Sequence, residues 1–231
     1  EFKTILNNKL NSCNLDEKRE VWFDNLFNIP FGIYSKLSVN KNDSDELSKY
    51  FFESIKKLNT LVYGMEDVKE EIINYLAQCF TNNSSPRVIG LHGPAGSGKT
   101  KIIRGGISNI LNRPLKTFSM GGITDSQYIL GFDHTYSNSR NGAICQALTD
   151  CKVMDPIFFF DELDKVSDTN DGRDIQNTLI HLTDPIQNNE FKDKYFEGIP
   201  IDLSKAIFIF AFNDIDRVNP VLRDRIHVIK I

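Results

Sequence analysis

Gly93, Pro94, Ala95, Gly96, Ser97, Gly98, Lys99 and Thr100 spell an uninterrupted GxxxxGK[ST] phosphate loop. A short apolar run precedes it and a helical stretch follows, the context in which such a loop can hold phosphate. The glycines let backbone N–H groups turn inward around phosphate oxygens, and the start of the helix adds partial positive charge. Lys99 has the reach for β- and γ-phosphates, and the Thr100 hydroxyl can ligate Mg²⁺. Sixty-two residues past Lys99, the run Ile157-Phe158-Phe159-Phe160 ends in Asp161 and Glu162. An acidic pair closing a strand is a weak signal alone and a much stronger one beside a phosphate loop. Asp161 can hold Mg²⁺ through water. Glu162, expected on the opposite side of the pleat, can polarise an attacking water. Phe210-Ala211-Phe212-Asn213 is another apolar run with a polar end. Asn213 either orients the lytic water or senses the γ-phosphate, or it is a turn residue closing a strand. Arg223 and Arg225 follow in Pro220-Val221-Leu222-Arg223-Asp224-Arg225. An arginine here can be offered to a neighbouring subunit's nucleotide, or it can form a surface ion pair with Asp216 or Asp224.

These side chains need strands that end together and helices that cover them. Apolar runs at 87–92, 115–119, 157–161, 206–212 and 227–231 read as strands. Helical periodicity falls at 65–80, 99–111, 142–152 and 173–182, between or beside those runs. The alternation predicts an α/β fold, a five-stranded parallel sheet with helices on both faces. Residues 1–60 differ, being rich in Asn, Lys and Ser. Within them 16–27 has an apolar helical stripe, and Asp43-Ser44-Asp45-Glu46 is a helix-start signal ahead of 47–58. This region is expected to be an N-terminal helical extension or linker, and 61–231 the α/β unit.

Composition excludes several classes. The 231 residues carry 40% hydrophobic and 25% charged side chains, ordinary for a globular protein with a substantial core. The net charge of −4 and the lack of a basic stripe disfavour nucleic acid as a partner. The longest apolar runs are far too short to span a bilayer. Cys13, Cys79, Cys145 and Cys151 form no CxxC pair and no zinc-type cluster with histidine. They are expected to be reduced structural thiols, which points to an intracellular compartment, the cytoplasm or the mitochondrial matrix.

Beyond the phosphate loop, longer stretches carry a resemblance. Tyr63-Gly64-Met65-Glu66-Asp67-Val68-Lys69 is similar to YG-x-x-x-VK, and Gly121-Gly122-Ile123-Thr124-Asp125 to GG-x-x-D. Asp161-Glu162-Leu163-Asp164-Lys165 fits DE-[VIL]-DK. Leu182-Thr183-Asp184-Pro185-Ile186-Gln187-Asn188 looks like LLDPEQN, and 220–225 like P-x-LRDR. Trp22-Phe23-Asp24-Asn25-Leu26-Phe27-Asn28-Ile29-Pro30 is similar to a WL-x-x-LP linker. Together these resemble the AAA+ ATPase segment of Lon-type ATP-dependent proteases, over roughly 20–231.

The resemblance implies a P-loop NTPase fold and a set of roles. Gly93–Thr100 would bind ATP and Mg²⁺. Asp161 would be the metal-associated carboxylate and Glu162 the catalytic one. Asn213 would be the sensor, Arg225 rather than Arg223 the trans-acting arginine, and Tyr63 and Gly64 the adenine grip. It further implies a hexameric ring that pulls unfolded or damaged proteins through its pore towards a Ser–Lys peptidase. Nothing in these residues matches a Ser–Lys site, so the chain is expected to be a fragment lacking the helical lid and peptidase domains. The alternative is a non-proteolytic AAA+ module using ATP mainly to hold an oligomer together. One departure from the family falls at the pore loop, Gly131-Phe132-Asp133-His134-Thr135-Tyr136-Ser137. Tyr136 keeps the pushing aromatic. Asp133 and His134 stand where the family has arginines, and Ser137 replaces an aliphatic residue, so substrate grip is expected to be altered. The stretch 167–174 likewise lacks the aromatic of a second pore loop.

Overall fold

The computed structural model describes residues 17–36, 39, 43–81, 87–133, 139–196 and 198–231. The described helices and strands, in chain order, begin with helices α1 (Glu17–Phe27), α2 (Ser44–Leu61) and α3 (Glu66–Thr81). Strand β1 (Val88–His92) leads into α4, a continuous helical run through 99–111, and then β2 (Leu115–Ser119). Helices α5 (Gln127–Leu130) and α6 (Ala143–Cys151) precede β3 (Ile157–Asp161) and α7 (Asn170–Thr183). The short strands β4 (Phe191–Lys192) and β5 (Pro200–Ile201) pair antiparallel. Strand β6 (Ile207–Phe212), helix α8 (Pro220–Arg223) and β7 (His227–Lys230) complete the order.

The main sheet is parallel, in the order β2-β3-β6-β1-β7. The five predicted strands all appear, within a residue of their expected bounds. The central strands IFFFD and IFIFAF lack the alternation of a half-exposed strand because helices cover both of their faces. Period-two geometry then deals their aromatic rings to separate cores. Phe158, Phe160, Phe208 and Phe210 lie on one side with Trp22, Phe23 and Leu26 of α1. Phe159, Ile207 and Ile209 lie on the other with Leu47, Phe51 and Leu58 of α2 and with the apolar faces of α3 and α4. Register brings Phe118 beside Phe160 and Phe160 beside Phe210, with ring centroids 4.9 and 5.1 Å apart. Each such buried ring contributes about 2 kcal/mol through area removed from water.

Local signals explain the helix ends. The Asp43 carboxylate caps α2 by accepting from the N–H groups of Asp45 and Glu46, both at 3.0 Å. The N-terminal helices are tied in by polar contacts as well as by their apolar faces. Trp22 Nε1 donates to the Tyr195 carbonyl at 2.8 Å. At the amino ends of the strands a buried ion pair joins Arg113 and Asp155 at 3.1 Å. Arg113 also donates to the carbonyls of Asp155 and Lys205, and Asp155 accepts from the N–H of Ser35. Two features of the helices were not foreseen. Residues Ile102–Ile107 of α4 form a π-helical turn just beyond the phosphate loop, and α7 begins three residues earlier than its periodicity suggests, where Thr169 Oγ1 accepts from the N–H of Gly172.

Candidate nucleotide site

A parallel sheet brings all its strand carboxy ends to one edge, and the strand order decides which loops meet there. Strand β6 lies between β1 and β3, so Asn213 falls between the phosphate loop and the Asp161–Glu162 pair. Positive φ at Gly96 (81°) and Gly98 (94°) wraps the loop, a backbone region that a Cβ would strain. Lys99 is buried, and its three ammonium protons are all in use. Nζ donates to the carbonyls of Gly93 at 2.6 Å and Pro94 at 2.9 Å, and to Asn213 Oδ1 at 2.9 Å. Desolvation lowers the Lys99 pKa, against the opposing pull of Asp161 and Asp164. Burial raises the Asp161 pKa, with its hydrogen bond from the Glu162 N–H working the other way.

Glu162 corrects one expectation. It leaves β3 in the left-handed region, at φ 59° and ψ 43°, so pleat alternation does not set its direction. Its carboxylate turns towards the end of β2, where Ser119 Oγ donates to it at 3.4 Å, and it lies 3.7 Å from Lys165 Nζ. A non-glycine residue held there costs about 1–3 kcal/mol, and such strain gathers at functional sites. Met65, at φ 60°, borders the same site. Its methyl group lies 3.8 Å from where a Cβ on Gly98 would sit, so residues 63–65 run beside the phosphate loop. Within that segment Tyr63 is fully exposed and Gly64 has a φ of 70°.

Mg²⁺ asks for hard oxygen donors and keeps most of its shell as water and phosphate oxygens. The exposed Thr100 hydroxyl and the half-buried Asp161 carboxylate supply two such donors at the loop's edge. Asp164 adds a buried carboxylate whose Oδ1 has no hydrogen-bond partner among the described residues. Those residues contain no cluster of three or more His, Cys, Asp or Glu able to cage a metal unaided. The donor set therefore fits Mg²⁺ delivered with a nucleotide.

Arg225 lies elsewhere. Residue Ile89 of β1 stands opposite His227 of β7, so the residues just before β7 reach the amino edge of the sheet, away from the phosphate loop. There Arg225 donates to the Ile180 carbonyl at 2.6 Å and pairs with Asp184 at 3.2 Å. Asp184 has a lowered pKa, chiefly through the Ile186 N–H and then through Arg225. Arg223 instead lies 3.8 Å from Asp216, one of the surface pairings the sequence allowed.

The match covers residues 89–230, which fit the model of the "ATPase family associated with various cellular activities (AAA)". The chain belongs to the AAA ATPase family. Among curated relatives, "Lon protease homolog" of Acanthamoeba polyphaga mimivirus is 39% identical over 193 residues, 83% of this chain and 19% of that protein. "Lon protease homolog 2, peroxisomal" of Caenorhabditis elegans is 38% identical over 86% of this chain and 25% of its own length. "Lon protease homolog, mitochondrial" of Drosophila melanogaster is 33% identical over 99% and 22% respectively. This AAA chain thus spans about a fifth to a quarter of the relatives it matches. The same chain is similar to a segment of each of these Lon protease homologues.

Some positioning residues escaped sequence reasoning. Lys69 sits inside the YG-x-x-x-VK stretch yet is 1% exposed. Its Nζ donates to the Val62 carbonyl at 2.6 Å and to Asn59 Oδ1 at 2.9 Å, clamping the end of α2 beside Tyr63 and Gly64. Lys69→Met keeps the stem and strands both acceptors. It is expected to cost about 2–3 kcal/mol, read as a thermal midpoint lower by about 5–10 °C. An unchanged midpoint would show that the ammonium does not seat this junction. The other is Asp193, which had no local signal. It ties the two ends of the 131–142 segment by accepting from the Gly142 N–H at 2.7 Å, while Phe132 N–H donates to the Arg140 carbonyl at 2.9 Å. A Cβ on Gly142 would fall 2.1 Å from the Ile129 carbonyl oxygen, so the segment needs glycine there. His134, Tyr136 and Ser137 lie outside the described residues.

Of the cysteines, Cys145 and Cys151 are free thiols, and burial raises the pKa of both. The Cys13 and Cys79 side chains lie outside what is described. No described helix is long and apolar enough to cross a membrane.

Proposed function

We propose that this chain is the ATP-hydrolysing AAA+ module of a Lon-like ATP-dependent protease, working at the interfaces of a ring, hexameric in the intact protein. Residues 61–231 form its large ATPase subdomain and 1–60 the helical extension that leads into it. The observation that carries the reading is the Lys99–Asn213 bond inside the phosphate loop, flanked by Asp161 and Glu162. The γ-phosphate enters by taking over Lys99 donors now spent on the Gly93 and Pro94 carbonyls. Asn213 then loses its own Lys99 contact and is free to meet the γ-phosphate or the lytic water. Glu162 accepts a proton from that water as it attacks. Thr100 and, through water, Asp161 would hold Mg²⁺, which would supply positive charge to the phosphates. Tyr63 and Gly64 hold the adenine beside the loop.

Turnover drives unfolded polypeptide through the pore lined by the 131–137 segment, towards a Ser–Lys peptidase site carried elsewhere in the protein. The mitochondrial name of one relative, with two free thiols among the described residues, supports a reducing intracellular compartment, the cytoplasm or the mitochondrial matrix. Glu162→Gln tests the chemistry. ATP binding should persist while steady-state phosphate release falls about 10²–10⁴-fold. Unchanged turnover would remove Glu162 from its role. No turnover in the unaltered oligomer would leave ATP as an assembly ligand.

A further inference from the structure

His92 is the last residue of β1, directly before the phosphate loop, and the role of that loop leaves it unused. Its backbone is held from two sides. It stands in register with Phe212 of β6, and its carbonyl accepts from the Ile231 N–H at 2.7 Å. The imidazole stacks on the Phe212 ring, centroids 5.6 Å apart at 21°. From that platform Nε2 lies 3.2 Å from the backbone carbonyl of Asn213. A carbonyl only accepts, so Nε2 carries a proton and donates. Nδ1 is buried and has no hydrogen-bond partner among the described residues. A ring placed only for packing would not need to hide an unmatched nitrogen, whose burial costs free energy.

What the ring holds matters more than what it buries. Past Phe212 the ladder between β1 and β6 ends, and Asn213 is exposed. Asn213 and His92 border a cavity of about 330 Å³ at the carboxy end of the sheet, with Gly93, Pro94, Lys230 and Ile231. With that space beside it, the turn after β6 is not fixed by packing alone. The contact from His92 secures the Asn213 main chain, while its side-chain oxygen accepts from Lys99. We infer that His92 is a positioning residue for hydrolysis: it fixes the Asn213 main chain so that the amide stays aimed at the γ-phosphate position once Lys99 has turned to the nucleotide. The inference rests on the reading of Asn213 given above. It adds a control point on the strand opposite the one that bears the amide.

The test uses the full-length oligomer, with phosphate release for turnover and a fluorescent ATP analogue for binding. His92→Phe keeps the stacking and removes the donor, and His92→Gln restores an N–H of similar reach. For His92→Phe, kcat should fall about tenfold, with KM for ATP and analogue affinity within about twofold, since the loop and Lys99 remain. His92→Gln should recover most of the loss. Adding His92→Phe to Asn213→Ala should cost nothing further, because both act through one group. The inference is overturned if His92→Phe turns over like the unaltered protein while Asn213→Ala is impaired. Losses that multiply in the double variant overturn it too. So does a matched fall in thermal midpoint for both His92 variants without rescue by Gln, which would mark a packing role. In each of those cases a dead Lys99→Ala control leaves the ATPase reading standing. Absence of ATP turnover in the unaltered oligomer overturns that reading, and this inference with it.

Discussion

Lys99→Ala is expected to abolish ATP binding, because the substitution removes the charge that must meet the β- and γ-phosphates and leaves the rest of the loop in place. The Lys99 ammonium lies in the loop, donating to the Gly93 and Pro94 carbonyls and to Asn213. Exchanging these neutral acceptors for phosphate oxygens makes bonds in which both partners are charged, in place of bonds in which only the ammonium is. The same exchange relieves the desolvated ammonium, whose pKa burial has lowered. Thermal unfolding reads the effect directly. At ATP a hundredfold above Kd, linkage stabilises the unaltered chain by about 2.7 kcal/mol, a midpoint shift of about 5–10 °C for a domain of this size. Lys99→Ala should show no ATP-dependent shift at all. A retained shift would mean that nucleotide binds without the lysine and that the loop has another partner.

Arg225→Ala should leave ATP binding intact and lower oligomer turnover by about 10³–10⁵-fold, the range for removing a trans-acting arginine. The expectation follows from the sheet. Register places Arg225 at the amino edge, and the chain's own phosphate loop is at the carboxy edge, so its guanidinium cannot serve that loop. The prediction is that it serves a nucleotide bound to the next subunit; a purely structural arginine, held by Asp184 and the Ile180 carbonyl, would leave turnover unchanged. The Ile180 carbonyl and Asp184 hold the guanidinium ready and leave it partly exposed, at 30%. Two dead variants give the decisive measurement. Lys99→Ala subunits lack a working loop and still carry Arg225; Arg225→Ala subunits have the reverse defect. Mixed into one oligomer, they should regain phosphate release that neither shows alone. If mixing restores nothing although mixed rings form, Arg225 does not act in trans. Arg225→Lys should not rescue, since a point charge cannot reproduce a planar fork bound on two sides.

The positions behind these predictions were unequally legible. The phosphate loop could be read directly because its chemistry is contiguous: glycine freedom, a helix start, a lysine and a hydroxyl fall within one turn. The five strands were equally plain, since buried parallel strands are written as unbroken apolar runs. Asp161 followed from the end of such a run. The direction of Glu162 did not, because a single left-handed residue overrides pleat alternation, and nothing local in Asp161-Glu162-Leu163 announces it. Asn213 was evenly balanced between sensor and turn residue for a similar reason. Its neighbours depend on β6 lying between β1 and β3, and strand order is a long-range property.

Local pattern therefore settled the fold class, the phosphate loop and the AAA family, each carried by residues adjacent in the chain. Folding settled which distant groups meet. It put Asn213 on Lys99 from 114 residues away and set Arg225 at the far edge, 45 residues from the Ile180 carbonyl it grips. It also buried Lys69 under the end of α2, and it turned His92, which reads as the unremarkable last residue of a strand, towards the Asn213 carbonyl. The physical reason is the same each time. Backbone propensity and hydrophobic period act over a few residues, while hydrogen bonds and ion pairs between side chains exist only once packing has fixed both partners.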